Sequence, residues 1–217
     1  MIKKDFIKSS SDGLKIELAY AIPKDEIKGI VQISHGMSEH KERYFEFMEY
    51  LAENGYICVI NDHRGHGNSV KDKKDLGYFY TEDTNFIVDD LYDVTLYIKN
   101  KYPNYKTYLF SHSMGTLVAR GYMQKYDKEI EKIILCGTPT QNPFTPFAIT
   151  MAYLFKIIGM GKKPNKILHY LTFNSYNKGY KLENEWLSKN PRNISIYNDD
   201  ELCGFTFTTN GFINLYK

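Results

Sequence analysis

Tyr108-Leu109-Phe110-Ser111-His112-Ser113-Met114-Gly115 decides how the chain is read. An apolar run reaches a serine, and a helical repeat follows at once in Met114, Leu117, Val118 and Tyr122. A strand that turns straight into a helix puts the turn residue on a tight bend with its side chain held out. In that position a serine Oγ stands clear of the sheet and can attack a carbonyl carbon. The pattern usually reads G-x-S-x-G. Here Ser111 fills the first position, where strand and helix backbones pass close together, so some strain is expected there. The competing reading of this stretch is a strand–turn–helix with an incidental serine.

Two further stretches decide between these readings. Gly29-Ile30-Val31-Gln32-Ile33-Ser34 reads as a buried strand running into His35-Gly36-Met37-Ser38-Glu39-His40. Tyr56-Ile57-Cys58-Val59-Ile60 reads as another, running into Asp62-His63-Arg64-Gly65-His66-Gly67-Asn68-Ser69. HGMSEH, DHRGHGNS and HSMG, in this order, resemble the α/β-hydrolases of the monoacylglycerol lipase and lysophospholipase branch, whose domain often carries a serine aminopeptidase-like label. The resemblance covers about residues 10–140 strongly and the rest weakly.

Between these motifs the strands alternate with amphipathic segments at Tyr44–Asn54, Thr84–Tyr102 and Met114 to about Tyr126, and a strand follows at Lys132–Gly137. Alternation of this kind predicts an α/β fold: a mostly parallel sheet with helices on both faces and ligands at the carboxyl ends of its strands. Before them, residues 5–22 read as two strands around a turn at Ser11-Asp12-Gly13. From Thr138 the texture changes: Pro139, Pro143 and Pro146 are followed by an apolar helix carrying Phe147, Met151, Leu154, Phe155 and Ile158, and then by a polar, Tyr- and Asn-rich stretch at 165–190. The family resemblance implies a helical cap here. The expected division is a hydrolase core at 1–138, a cap at 139–204 and the start of a return to the core at 205–217. The cap helix could line an acyl-chain site or simply pack on the core.

Composition limits the function. The 217 residues suffice for one domain with a real core, and 42% hydrophobic with 25% charged residues is ordinary for a globular protein. A net charge of +2 gives no case for nucleic acid. The start, Met1-Ile2-Lys3-Lys4-Asp5, has no apolar core of a signal peptide, and no run approaches the roughly 18 apolar residues of a membrane span, so a cytoplasmic setting is expected. Cys58 and Cys136 lie in apolar strand runs and are expected as buried thiols.

Ester attack by a serine builds negative charge on the carbonyl oxygen, which backbone N–H groups can stabilise. Met114, next after Ser113, offers one such donor, and the resemblance points to Met37 as the second. The histidines His35, His40, His63 and His66, with Asp62, raise the question of a metal. Their tight glycine loops and the lack of an HExxH helix argue against one, and Gly65-His66-Gly67 lacks the rest of a dinucleotide fingerprint. No cofactor and no metal are expected.

A working serine also needs a histidine base oriented by a carboxylate, in the chain order Ser, acid, His. After Ser113 the only histidine is His169, and the best acids, Asp199 and Asp200, are followed by none. In the family the acid and base come after the cap. The expectation is therefore a truncated hydrolase of small acyl esters or lipids, nearly inactive as these 217 residues. The rival readings are a lipid-binding or inert remnant and a peptidase or other acyl-transfer enzyme of the same fold. Transient contact between cap and membrane, and self-association through an uncovered strand at 132–137, are also expected.

Overall fold

A computed structural model describes residues 1–140, 142–180 and 184–217. β1 (Ile2–Lys8) and β2 (Lys15–Ala21) form an antiparallel hairpin, closed where Gly13 takes a φ of 73°. β3 (Gly29–Ser34), β4 (Tyr56–Asn61), β5 (Thr107–His112) and β6 (Lys132–Cys136) run parallel to one another, and β2 joins them antiparallel along β4. The order across the sheet is β1-β2-β4-β3-β5-β6. The three parallel crossovers are helices: α1 (Phe45–Glu53), α2 (Asn85–Lys101) and α3 (Met114–Tyr126).

Alternation along the central strands places the core on both faces. Ile57 and Val59 of β4 pack with Ile30, Val94 and Ile98 on the α2 side, while Cys58 and Ile60 pack with Ile33 and Met48 on the α1 side. A polar residue survives inside β3 because it is fully paired. Gln32 donates to the Leu91 carbonyl (2.8 Å) and accepts from Thr95 Oγ1 (2.7 Å).

Beyond β6 the chain is helical: α4 (Thr145–Phe155), a π-helical turn at Lys156–Met160, α5 (Lys166–Asn177) and α6 (Pro191–Asp199). A last helix, α7 (Thr209–Tyr216), buries Phe212 and Ile213 beside Phe207 and Phe79. Asn210 accepts from the Phe79 N–H (2.9 Å) and donates to the Thr81 carbonyl (2.7 Å), which pins the 77–81 loop to α7. Among the described residues no helix is long and apolar enough to cross a membrane.

One expectation needs correction. Cys58 is buried, but Cys136 is exposed, because β6 stands at the end of the strand order among the described residues. The α4 stripe is only partly inward: Ala152 is buried and Met151 and Phe155 pack on the core, while Phe147, Leu154 and Ile158 are exposed. An almost wholly apolar helix carries no polar face to fix its rotation, so spacing could not say which side would pack. The first half of the Tyr- and Asn-rich stretch forms α5 behind an Asn165 side-chain cap on the Leu168 N–H (3.0 Å). Its positions 181–183 lie outside the described residues.

Candidate active site

β5 ends at His112 and α3 begins at Met114, leaving Ser113 alone on the bend at φ 50°, ψ −120°. A serine at positive φ costs about 1–3 kcal/mol and persists only where its surroundings over-determine it. Here the Ser113 N–H donates to the Cys136 carbonyl (2.9 Å), and the Ser113 carbonyl accepts from the N–H (2.9 Å) and Oγ1 (2.7 Å) of Thr116. The unusual backbone lies at Ser113 rather than at Ser111. Ser111 is buried, and its Oγ donates to the Ile134 carbonyl (3.0 Å), so the extra side chain is accommodated by a hydrogen bond.

Two glycines let the end of β3 close on this bend. A Cβ on Gly115 would lie 2.2 Å from the Ser34 carbonyl oxygen. A Cβ on Gly36 would lie 3.2 Å from Ser113 Cβ, 3.1 Å from His112 Nδ1 and 2.6 Å from Glu39 Oε1. Gly36 and Ser113 are thus in direct apposition, with Met37 next along the loop. The Met114 N–H is the first of α3, where helix geometry supplies no acceptor and the helix dipole is positive. A carbonyl oxygen seated there meets donors rather than acceptors.

The imidazoles behind this junction act as spacers. His35 Nδ1 donates to the Gly36 carbonyl (2.8 Å), which leaves its Nε2 as a lone pair, and that lone pair accepts the His63 N–H (3.0 Å). His63 Nε2 donates to Ser34 Oγ (3.0 Å), which passes its own proton to the Gly115 carbonyl (3.3 Å). The chain of bonds therefore ties β3, the loop after β4 and the start of α3 together. Burial pushes His35 and His63 well below the usual imidazole range and His66 down to about 4. The His35 lone pair that a metal would need is already used. Nearby, Asp62 accepts from the backbone N–H (2.8 Å) and the Nζ (2.7 Å) of Lys41, both residues fully buried. Arg64 grips Asp90 with two bonds (2.7 and 3.1 Å) in an equally buried pair.

Glu39 is the charged residue nearest the bend. Its Oε1 accepts from the Gly36 N–H (2.5 Å) and Tyr44 OH (2.9 Å) and faces His112 Nδ1 (3.4 Å), while Oε2 takes Arg43 Nε (3.1 Å). Burial works to raise this carboxyl, but His112 and the Gly36 N–H outweigh it and hold it below its ordinary value. Glu39, Arg43, Tyr44, Phe110 and His112 line an open hollow beside the bend.

The cap side reaches the same loop. Ser38, at φ 53°, accepts from Tyr197 OH (3.0 Å) and the Gly204 N–H (2.9 Å), and its Oγ donates to the Phe205 carbonyl (2.8 Å). His40 Nε2 bonds Asp200 (2.8 Å). His40, Asp200 and Cys203 bring their ligand atoms within 4.8 Å of one another. Burial pushes the Cys203 thiol up to about 12.

Ser113 and Met114 are therefore adjacent on the bend, with Gly36 against Ser113 and Met37 and His35 on either side of Gly36. Asp200 is engaged by His40, Asp199 accepts from Ser195 Oγ (2.9 Å), and His169 stands on α5 with its ring 5.0 Å from that of Phe173. Sequence reasoning gave no role to Glu39 or His112. A signal for Glu39 existed: a glutamate returning to a backbone N–H three residues earlier is half of a capping box, and Gly36…Glu39 has that spacing.

The strand order with a serine bend at the carboxyl end of β5 defines an α/β-hydrolase. The chain belongs to the family described as serine aminopeptidase, S33, whose model matches residues 25–217. It is 26% identical to human (Homo sapiens) monoglyceride lipase over 193 residues, 89% of this chain and 58% of that one. It is also 26% identical to a monoacylglycerol lipase of Mycolicibacterium smegmatis over 147 residues, 68% of this chain and 50% of that one. The chain thus spans about half the length of the curated relatives it matches. A thermostable carboxyl esterase from Bacillus coagulans, solved with glycerol, superposes with a TM-score of 0.89 at 22% identity, covering 100% of this chain and 72% of that one. At that identity the likeness speaks to the fold.

Proposed function

We propose that this protein is a serine hydrolase of carboxylic esters, with monoacylglycerols or lysophospholipids as substrates. Ser113 is the nucleophile, and the N–H groups of Met37 and Met114 form the oxyanion hole. The observation that carries the reading is the Ser113 backbone, held at φ 50°, ψ −120° on the strand–helix bend with Gly36 against its Cβ. Ser113 Oγ attacks the acyl carbon and gives up its proton to water. The carbonyl oxygen, now negative, takes the two N–H bonds, each worth about 3–4 kcal/mol of barrier. Collapse expels the alcohol, which recovers the proton, and water then releases the acid from the acyl-enzyme.

Among the described residues no side chain is hydrogen-bonded to Ser113 Oγ. On this reading Ser113 is positioned but not activated, and the 217-residue chain turns over esters slowly. Loss of a triad histidine costs on the order of 10⁶ in kcat. The same observation favours a second reading, a lipid-binding protein without catalysis. In either reading the exposed Phe144, Phe147, Leu154, Ile157 and Ile158 around α4 support transient contact with a membrane surface. The free thiols of Cys58, Cys136 and Cys203 suit a cytoplasmic setting.

The test is p-nitrophenyl butyrate turnover and fluorophosphonate labelling of the purified chain beside Ser113→Ala. Slow turnover and weak labelling, both lost in Ser113→Ala, are expected. Fast, Ser113-dependent turnover would mean that a base is already in reach. Turnover and labelling indifferent to Ser113 would leave the lipid-binding reading.

A further inference from the structure

The loop after β3 is clamped on both sides of Met37. The Gly36 carbonyl accepts from His35 Nδ1 (2.8 Å). Across a trans peptide the N–H points opposite to the C=O, so this bond turns the Met37 N–H away from the His35 ring. The Ser38 carbonyl is taken by Tyr197 OH (3.0 Å) and the Gly204 N–H (2.9 Å). Among the described residues the Met37 N–H itself meets no acceptor. The remaining clamp is Glu39, a buried carboxylate whose Oε1 accepts the Gly36 N–H at 2.5 Å. Tyr44 OH (2.9 Å) and Arg43 Nε (3.1 Å) fix that carboxylate in turn, and His112 Nδ1 stands 3.4 Å from it. A Cβ on Gly36 would lie 2.6 Å from Glu39 Oε1 and 3.2 Å from Ser113 Cβ, so carboxylate and serine meet at Gly36. Glycine has the least restrained backbone of any residue, and its peptides stay fixed only if groups outside it hold them. His35 holds the peptide after Gly36, and Glu39 holds the one before it.

We propose that Glu39 is a positioning residue for the oxyanion hole: by holding the Gly36 N–H it fixes the backbone of Gly36, so that the Met37 N–H is presented to the substrate carbonyl oxygen. The proposal rests on the reading of Ser113 as nucleophile and Met37 as oxyanion donor. Glu39 acts through that donor and does not touch the reacting atoms. A carboxylate so near a developing oxyanion would by itself raise the barrier. Here its charge is met by Arg43 and its oxygens by N–H and O–H donors, so what it contributes is geometry. Glutamine fills the same space without making the same bonds. Its oxygen can serve the Gly36 N–H or Arg43 Nε, and its NH2, which only donates, is left facing the other donor. Outright loss of one oxyanion donor costs about 10²–10³ in kcat, and a donor kept in place but released from its clamp loses part of that.

The test is acylation of the full chain by p-nitrophenyl butyrate, with fluorophosphonate labelling alongside, in the parent, Glu39→Gln, Tyr44→Phe and Ser113→Ala. Circular dichroism checks folding. Glu39→Gln is expected to lower kcat and the labelling rate about tenfold or more while KM stays within about twofold, because the oxyanion bond is realised in the transition state and not in substrate binding. Tyr44→Phe removes one bond to Oε1 and keeps the carboxylate, so its rate is expected between those of the parent and Glu39→Gln. It carries the test by itself if the glutamine variant does not fold. A folded Glu39→Gln as fast as the parent, a loss confined to KM, or, with glutamine unfolded, a Tyr44→Phe equal to the parent would each overturn the proposal and leave Ser113 as nucleophile. Turnover and labelling indifferent to Ser113 would overturn both.

Discussion

β3 and β6 carry nearly the same message in sequence, Gly-Ile-Val-Gln-Ile-Ser and Lys-Ile-Ile-Leu-Cys, and come to opposite ends. β3 lies between β4 and β5 with a helix layer on each face, and even its glutamine is sealed in. β6 has β5 on one side and no described strand on the other, and its Ile134 and Leu135 are exposed. An apolar run records what a strand can bury. Its place in the strand order decides what it does bury. The chemistry follows the same division: the residues that close on Ser113 come from the sealed centre.

Acid should give the largest effect, and it should strike the centre. His35, His63 and His66 are pushed down in the fold, His66 to about 4, whereas an unfolded imidazole titrates near 6.5. The unfolded chain therefore takes up protons first as pH falls. Stability is fully present above about 6.5 and is lost as pH drops toward 4, by up to about 1.4 kcal/mol per pH unit for each histidine. Urea unfolding at pH 7, 6, 5 and 4 should show a steep decline across that window. A flat profile from pH 7 to 5 would mean that the imidazoles charge without penalty and that the centre is not sealed. Smaller, but still large, is the cost of Asp90→Ala. It leaves the buried Arg64 guanidinium with Asp12 as its one remaining carboxylate, beside Ser9 Oγ and the Phe79 carbonyl, and should cost about 3–5 kcal/mol by urea unfolding. A cost below about 1 kcal/mol would show Arg64 re-paired or solvated.

Much of this was legible in the sequence. The strand–serine–helix turn at 108–115, the two strands ending in His35-Gly36 and Asp62-His63, and the helices at 45–53 and 85–101 are all local patterns, set by apolar spacing and by glycines that sit where backbones touch. What stayed hidden is relational. Nothing in Lys132–Cys136 states that it stands at the end of the described strand order, so Cys136 read as buried. Nothing in Ser38 or His40 announces that Tyr197 and Asp200, some 160 positions later, will bond to them. The α4 helix is apolar on too many sides for spacing to choose a face, and the choice falls to Ala152, the smallest side chain at the contact.

The sharpest comparison is also the one with the smallest expected effect. Ile33→Ala and Ile134→Ala remove the same atoms from parallel strands of one sheet. Ile33 packs against Met48, Cys58 and Ile60 with none of its surface in water, so its truncation leaves a cavity and should cost about 2–5 kcal/mol. Ile134 keeps 58% of its surface in water, so its truncation should stay within about 0.5 kcal/mol by urea unfolding. Propensity cannot account for such a gap, because the residue type and strand class are the same and only the neighbours differ. If Ile134→Ala cost as much as Ile33→Ala under those conditions, β6 would have to be covered in the solution monomer. The contrast between the sealed strand and the exposed one would then fail.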